Sequence, residues 1–147
     1  MSMRNLNPHL LLLAEINSAG NSPLFVSRFY EALYLYLNVM DMIDLLLGDS
    51  PDREFLEMIC HSLHIKQIVA FKGSERVDRP ETYKQWDVRM NRAGFKLLRI
   101  SSDVLSRSKF FVKLKCHKQF FADDDNGLML LGWKGRPIIT VSAWKSA

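Results

Sequence analysis

The sequence has few cysteines, glycines and prolines: two, seven and five among 147 residues. Two cysteines are too few for a disulfide framework and are typical of a protein in a reducing compartment. Internal repeats and low-complexity segments are also missing, so disorder is a poor description of most of the chain. Apolar residues make up 48% and charged residues 24%, which predicts a globular protein with a buried core.

Long apolar runs are missing too. The run at residues 10–14 is far shorter than the roughly 20 residues that a transmembrane helix needs. Glu15 interrupts it, and no small-residue cleavage site follows, which disfavours a signal peptide. We therefore expect an intracellular, soluble protein.

Positive charge is present but is not concentrated. The net charge is +4, whereas a dedicated nucleic-acid-binding domain usually carries a stripe of Lys and Arg on one face. The densest basic region contains Arg107, Lys109, Lys113, Lys115 and Lys118. Two interpretations stay open for it: a solvated helix face, or a surface that contacts DNA or an acidic partner.

Motifs for catalysis and cofactor binding are not found. There is no G-x-G-x-x-G, no P-loop and no G-x-S-x-G. A zinc site would have to combine residues of unrecognised spacing, namely Cys60, His61, His64, Cys116 and His117. The acidic run at 123–125 lacks the offsets and closing Glu of a calcium loop. We therefore expect no catalytic residues, no metal and no cofactor.

The first half of the chain predicts one strand and a long helix. The apolar run at 10–16 is typical of a strand buried on both faces of a parallel sheet. A helix follows, with Ser22 as N-cap, Pro23 at its first position and Gly48 at its end. One face of this helix is apolar and is interpreted as core, with a binding groove as the alternative: Phe25, Phe29, Leu33, Tyr36, Met40, Ile43 and Leu47.

In the second half of the chain, helices and strands are predicted to alternate, and the last part is predicted to contain strands alone. An irregular helix is predicted over 52–70, a regular helix over 80–93 from Pro80, a strand over 95–100 and a helix over 101–116. Asn126-Gly127 is a strong hairpin signal, and strands at 128–133 and 138–144 flank a turn. This order predicts an α/β sheet with a mixed edge.

Three spacings in this half carry a family resemblance. Four residues separate Arg76 from Glu81, seven separate Trp86 from Gly94, and ten separate the last two tryptophans. Ser-Ala-Trp occupies residues 142–144. In this order the spacings resemble the SAW motif that ends the GRAS domains of plant transcriptional regulators.

Two longer segments support the resemblance. Residues 73–86 resemble the version found in the scarecrow-like branch related to a lily meiotic regulator. Residues 21–33, with Phe29 and Tyr30, are similar to the start of the PFYRE region. Two departures are Met58-Ile59, where the family has an Arg-Glu step, and Lys72, where an acidic residue is usual.

The resemblance implies a partial GRAS domain over residues 1–147, PFYRE-like at about 10–75 and SAW-like at about 76–145. The leucine-heptad and VHIID regions have no counterpart here, so we expect a truncated member. The implied fold is the C-terminal half of a Rossmann-like, methyltransferase-type α/β sandwich: parallel strands with helices, then an antiparallel β-meander. The strand and glycine-rich turn that would hold a cofactor in such a fold are missing.

The same resemblance implies the function. We expect a nuclear, non-enzymatic regulator that acts through other transcription factors, with self-association or binding to other GRAS proteins as further partners. No membrane role is expected. The alternatives are direct sequence-specific DNA binding and a fragment without function, and a methyltransferase-like enzyme is least favoured.

The motif residues are interpreted as structural: Phe29, Tyr30, Arg76, Glu81, Trp86, Gly94, Trp133 and Trp144. An ion pair between Arg76 and Glu81 would brace the start of the helix at Pro80. If Trp133 pairs with Ile138, Trp133 and Trp144 share one face of the sheet. The edge of the strand at 10–16 is expected to be exposed and to make the protein self-associate.

Overall fold

The computed structural model describes residues 8–147, without the side chains of residues 61–63, and these residues form two compact units. Residues 18–81 form a helical unit, and residues 8–17 together with 82–147 form a sheet unit. The sequence of elements is β1 (Leu11–Ile16), α1 (Phe25–Leu47), α2 (Pro51–Ile59), a π-helical turn (Cys60–Ile65), α3 (Lys66–Val69), a 3₁₀ turn (Gly73–Glu75), α4 (Tyr83–Arg92), β2 (Phe95–Leu98), α5 (Ser102–Lys115), β3 (Phe120–Asp125), β4 (Leu128–Trp133) and β5 (Arg136–Ser146).

The long helix α1 ends where predicted and begins later. Gly48 follows it with φ +51°, a conformation that favours glycine. The predicted N-cap Ser22 instead accepts the N–H of Leu24 in a turn before the helix, so Pro23 also lies outside. Although α1 has 23 residues, neither it nor any other described helix is long and apolar enough to span a bilayer.

The buried face of α1 matches the predicted core face only in part, at Tyr36 and Ile43. The four buried side chains are Ala32, Leu35, Tyr36 and Ile43. Phe25, Phe29 and Leu33, predicted to be core, are 49%, 40% and 41% exposed. Within the helical unit, α1 packs mainly against α2, α3 and the turn between them, and this packing leaves the start of its apolar face exposed.

The remaining helices follow the prediction with shifted boundaries. The irregularity predicted over 52–70 is confirmed as a π-helical turn between α2 and α3. The helix α4 begins at Tyr83 and not at Pro80, because Thr82 and Gln85 form a capping box at its N-terminus. Gly94, with φ +82°, ends it as predicted.

The sheet confirms a mixed α/β fold class but corrects the predicted pairing of β1. The central strand β5 pairs with β1, β2 and β4, and β3 pairs with β4. All of these described pairings are antiparallel, so the parallel pairing expected for residues 10–16 is wrong. Burial alternates along β1, as in an antiparallel strand with one covered face. Apolar residues on the open face produced the continuous run that suggested double burial.

The last hairpin turns more tightly than the sequence suggested. Trp133 pairs with Arg136 and not with Ile138. The two residues between them, Lys134 and Gly135, have φ +47° and +81°, the left-handed conformations of a two-residue hairpin turn.

A β-bulge then separates the two tryptophans. From the pair Trp133–Arg136 to the pair Leu131–Ile139, β4 advances by two residues and β5 by three. The extra residue reverses the alternation of faces along β5. Trp133 and Trp144 therefore lie on opposite faces of the sheet, and the predicted shared face is wrong.

Candidate functional site

A buried polar network in the helical unit contains two of the motif residues. Arg76 and Glu81 are 7% and 4% exposed. The Arg76 guanidinium donates to the Gly20 carbonyl at 3.1 Å and to Asn21 Oδ1 at 3.2 Å. The amide of Asn21 in turn donates from Nδ2 to Glu81 Oε1 at 2.5 Å. Asn21 thus connects the predicted partners, and the sequence motif positions a three-residue network.

The same network joins the two ends of the helical unit. The N–H of Asn21 donates to the Pro80 carbonyl at 3.0 Å. Gly20 lies so close to Pro80 that a Cβ on Gly20 would meet Pro80 Cγ at 2.6 Å. A glycine is required here because of this close approach. Arg76, Asn21 and Glu81 therefore serve the fold, since they hold the first and last segments of residues 18–81 together.

Two other motif residues lie in a row of exposed rings on α1. The Phe25 and Phe29 rings stack with centroids 6.0 Å apart, and the Tyr30 and Tyr34 rings stack at 6.5 Å. Phe29 and Tyr30 lie edge to face at 6.0 Å. Four aromatic rings, each at least 40% exposed, thus form a continuous surface, the α1 aromatic row. Exposed apolar surface of this kind is typical of interaction sites.

An apolar cavity opens beside the α1 aromatic row. Its volume is about 220 Å³, and its lining includes Phe29, Leu33, Tyr36 and Leu37 from α1 with Ile65 and Val69 from the facing helices. A cavity of this size accommodates one or two inserted side chains. The row and the cavity together provide a surface for an apolar helix or peptide.

The four remaining motif residues lie in the sheet unit and build it. Trp144 is 2% exposed and packs with Met90 and Phe95, and its indole N–H donates to Ser142 Oγ at 2.8 Å. Trp133 is fully buried against the rings of His117 and Phe120. Trp86 is partly buried in α4, and Gly94 ends that helix. Each of them acts through packing or backbone conformation.

The basic residues that suggested DNA binding are only partly brought together. Lys109, Lys113 and Lys118 line a cleft of about 550 Å³. Lys109 forms ion pairs with Asp123 and Asp124 at 3.0 and 2.7 Å. Its hydrogen bonds to the two carboxylates, Asp124 first, raise the pKa of Lys109.

The other two residues of this predicted set lie outside that cleft. Arg107 pairs with Asp103 one helical turn away, and Lys115 is exposed but is not part of the lining. The surface is therefore a mixed-charge helix face more than a stripe of positive charge.

The cysteine and histidine set also does not converge. Cys60 is a free thiol whose pKa is raised by burial, which disfavours the thiolate that zinc binds. His64 Nδ1 contacts Asp78 Oδ2 at 2.7 Å. Across the part of the chain whose side chains are described, no three His, Cys, Asp or Glu residues cluster as metal ligands. The side chain of His61 lies outside that part.

Comparison with known proteins agrees with the family resemblance of the motif. The model of the GRAS domain family matches residues 1–145. The chain belongs to the GRAS domain family. It is 43% identical over 147 residues to Scarecrow-like protein 11 of Arabidopsis thaliana, covering 98% of this chain and 24% of that protein. Scarecrow-like protein 30 of the same plant is also 43% identical, with 98% and 25% covered.

A solved structure supports the fold as well. The crystal structure of SCL7 in Oryza sativa matches with a TM-score of 0.84 and 26% identity, covering 97% of this chain and 40% of that one. The match assigns this chain to the Rossmann-like GRAS fold. The chain spans about a quarter of the length of its Arabidopsis relatives, so it corresponds to one part of a GRAS protein.

Sequence reasoning missed Asn21 and Gly20, which complete the Arg76–Glu81 network of the GRAS motif. Both lie about 55–60 residues before their partners in the chain. No local pattern reports such a long-range contact, whereas the motif spacing did select Arg76 and Glu81.

Proposed function

We propose that this protein is a plant transcriptional regulator that acts in the nucleus through contacts with other transcription factors. Its membership in the GRAS family, whose members are regulators rather than enzymes, supports the regulatory role. Other GRAS proteins and further copies of this chain belong to the same proposal as partners. DNA is then reached through the partner.

The observation that carries the mode of action is the α1 aromatic row. Removing the four exposed rings from water is favourable by about 25 cal/mol per Å² of apolar area. A partner that covers this surface is therefore stabilised in the complex. The adjoining cavity, lined by Leu33, Leu37 and Met40 among others, offers a place for an apolar side chain of that partner. Aromatic residues are also the residue class most enriched in the energetic centres of protein interfaces.

The test is a two-hybrid screen of the chain against a panel of plant transcription factors, followed by binding measurements on purified pairs. The double variant Phe25→Ser, Tyr34→Ser removes two exposed rings from the row. We expect it to weaken partner binding at least about tenfold, since each anchoring ring contributes more than about 1 kcal/mol. Circular dichroism should show an unchanged fold, because both side chains are about half exposed.

Phe55→Ser is the matched control. Phe55 is an exposed aromatic residue of α2 in the same unit, 58% exposed, and it belongs to neither the row nor the cavity. This variant should keep wild-type binding. Equal losses of partner affinity in the control and in the double variant would indicate nonspecific apolar binding and would contradict the proposal.

Direct DNA binding is the alternative that the α5 lysines would serve. Such binding must weaken steeply with salt, because each contacted phosphate releases counterions. A duplex that binds with a steep salt dependence, and that Lys113→Gln weakens, would favour this alternative over the partner-mediated mode.

A further inference from the structure

A second cleft in the helical unit is surrounded by positive charge. It lies between the start of α1 and the segment that follows α3, with a volume of about 680 Å³. Four cationic side chains line it: Arg28, Lys72, Arg76 and Arg79. None of its lining residues is acidic, although residues 107–118 had been the expected basic surface.

Hydrogen bonds to backbone carbonyls hold the guanidinium groups in place. Arg28 Nη1 donates to the carbonyls of Ser22 and Pro23, both at 2.9 Å. Arg79 donates from Nε to the Arg76 carbonyl at 2.9 Å and from Nη2 to the Gly73 carbonyl at 2.6 Å. Because these acceptors are neutral, the positive charges are positioned without being neutralised.

Donors remain available in the cleft. Among the described contacts, Arg28 Nη2, Arg79 Nη1 and Lys72 Nζ make no hydrogen bond, and the buried Nε of Arg28 has no partner. A buried N–H without an acceptor costs free energy. An anion in the cleft would supply acceptors for Arg28 Nη2, Arg79 Nη1 and Lys72 Nζ, which belong to residues that line it.

The charges also repel one another. Arg76 is 7% exposed, and desolvation, followed by the charges of Arg28 and Arg79, lowers the pKa of its guanidinium. No acidic side chain is among the residues that line the cleft. Clustered like charges in a concave, partly desolvated site attract a counter-anion.

We propose that this cleft is a binding site for a phosphoryl group, with Arg28, Lys72 and Arg79 as its direct ligands and Arg76 as the buried charge behind them. A phosphoryl group carries about −1.5 to −2 charges and three acceptor oxygens, so it matches several cations better than a single carboxylate does. A guanidinium group can also donate two parallel hydrogen bonds to two oxygens of a phosphoryl group. Phe25 and Phe71 border the cleft and provide apolar contact for the group that carries the phosphate.

The concave shape argues against duplex DNA as the occupant. Duplex DNA presents phosphates along an extended backbone and is bound by a stripe of cations. Here the four cations surround one pocket, which fits a single phosphoryl group on a small molecule or on a side chain. This inference goes beyond the proposed function. Phe25 belongs both to the α1 aromatic row and to the border of the cleft, whereas the proposed ligands Arg28, Lys72 and Arg79 lie outside the row.

The test titrates the purified chain with inorganic pyrophosphate and follows it by calorimetry and by amide NMR. The variant Lys72→Gln removes one ligand that makes no described hydrogen bond, so the fold should be preserved. Lys66→Gln is the matched control, because Lys66 is an exposed lysine of the same unit outside the cleft. We expect Lys72→Gln to weaken pyrophosphate binding about tenfold and the control to leave it unchanged.

Two peptides distinguish the sources of the phosphoryl group. One is a short phosphotyrosine peptide and the other is the same peptide without phosphate. Binding of the phosphopeptide more tightly than pyrophosphate would indicate a protein-borne phosphate, and the reverse order would indicate a free one. Both results support the site.

Four results would overturn it. One is no binding of pyrophosphate at millimolar concentrations, another is measurable binding of both peptides with equal affinity, and a third is equal weakening by Lys72→Gln and Lys66→Gln. Amide shifts confined to α5 instead of Lys72, Gly73 and Arg79 would also place anion binding elsewhere. None of these readouts involves a transcription-factor partner, so the phosphoryl site and the proposed function can fail separately.

Discussion

Gly132 and Phe121 face each other across the β3–β4 pairing, with the Phe121 ring lying directly over the Gly132 Cα. A methyl group on Gly132 would collide with this ring and with the Arg136 carbonyl. The rigid carbonyl cannot move aside without disturbing the hairpin. This contact explains why β4 carries a glycine inside a strand, where glycine is otherwise unfavourable.

Gly132→Ala should therefore destabilise the sheet unit. We expect the free energy of unfolding to fall by about 2 kcal/mol, as for an overpacked core position, measured by urea denaturation. Gly135→Asn is the control, because Gly135 has open space around it and asparagine tolerates positive φ. Equal losses from the two changes would mean that the close packing of Gly132 is unimportant.

Asn21→Leu should destabilise the helical unit. Leucine has a similar volume but cannot accept from Arg76 or donate to Glu81. With two buried charged groups deprived of a hydrogen-bond partner, we expect a loss of about 2–3 kcal/mol in the free energy of unfolding. Asn38→Ala is the comparison, since Asn38 donates an exposed hydrogen bond to the Tyr34 carbonyl within α1. A loss in Asn38→Ala as large as in Asn21→Leu would contradict a special role for the network.

The ion pairs of Lys109 predict a pH dependence. Lys109, followed by the Asp124 N–H, lowers the pKa of the Asp123 carboxyl. Because the folded pKa is below the unfolded value of about 3.9, the stabilisation is present above that value and is lost as pH falls through the lowered folded pKa. Lys109→Met should raise the pKa of Asp123 in a carboxyl ¹³C NMR titration, whereas Lys113→Met should not. Both groups are exposed, so added salt should reduce the difference.

The edge strand β1 predicts self-association. Among the described strands, β1 lies at one edge of the sheet. Leu12, on the open face of β1, is 65% exposed. A strand edge with apolar neighbours favours pairing with another chain. We expect light scattering to show oligomers that grow with concentration, and Leu12→Lys to reduce them. A wild-type chain that stays monomeric at high concentration would rule out this edge as a contact.

The elements themselves were largely predictable from local signals. Gly48, Gly94 and Asn126-Gly127 mark turns because their backbone conformations favour those residue types, and the structure has positive φ at each. The motif spacing also identified Arg76 and Trp144, which are buried as expected of structural residues. These signals act over a few residues, and so they can be seen in one sequence.

Other features depend on contacts far along the chain. The antiparallel pairing of β1 is determined by β5, about 125 residues later, and an apolar run does not reveal the direction of its neighbour. The bulge in β5 adjoins Pro137, a residue type that occurs at bulges, but the proline alone does not give the register. The bulge decides the face of every side chain beyond it. The basic cleft was missed for the same reason: Arg28 lies more than 40 residues before Lys72 in the chain, and their shared cleft depends on the packing of α1 against α3.

The hydrogen bond between Asn21 and Pro80 means that the chain enters and leaves the helical unit at nearly the same point. Residues 18–81 are therefore an insertion with adjacent ends, the arrangement in which a segment is most readily exchanged or removed as a module. Replacing the helices between these two ends would therefore require a new segment whose ends are equally close together.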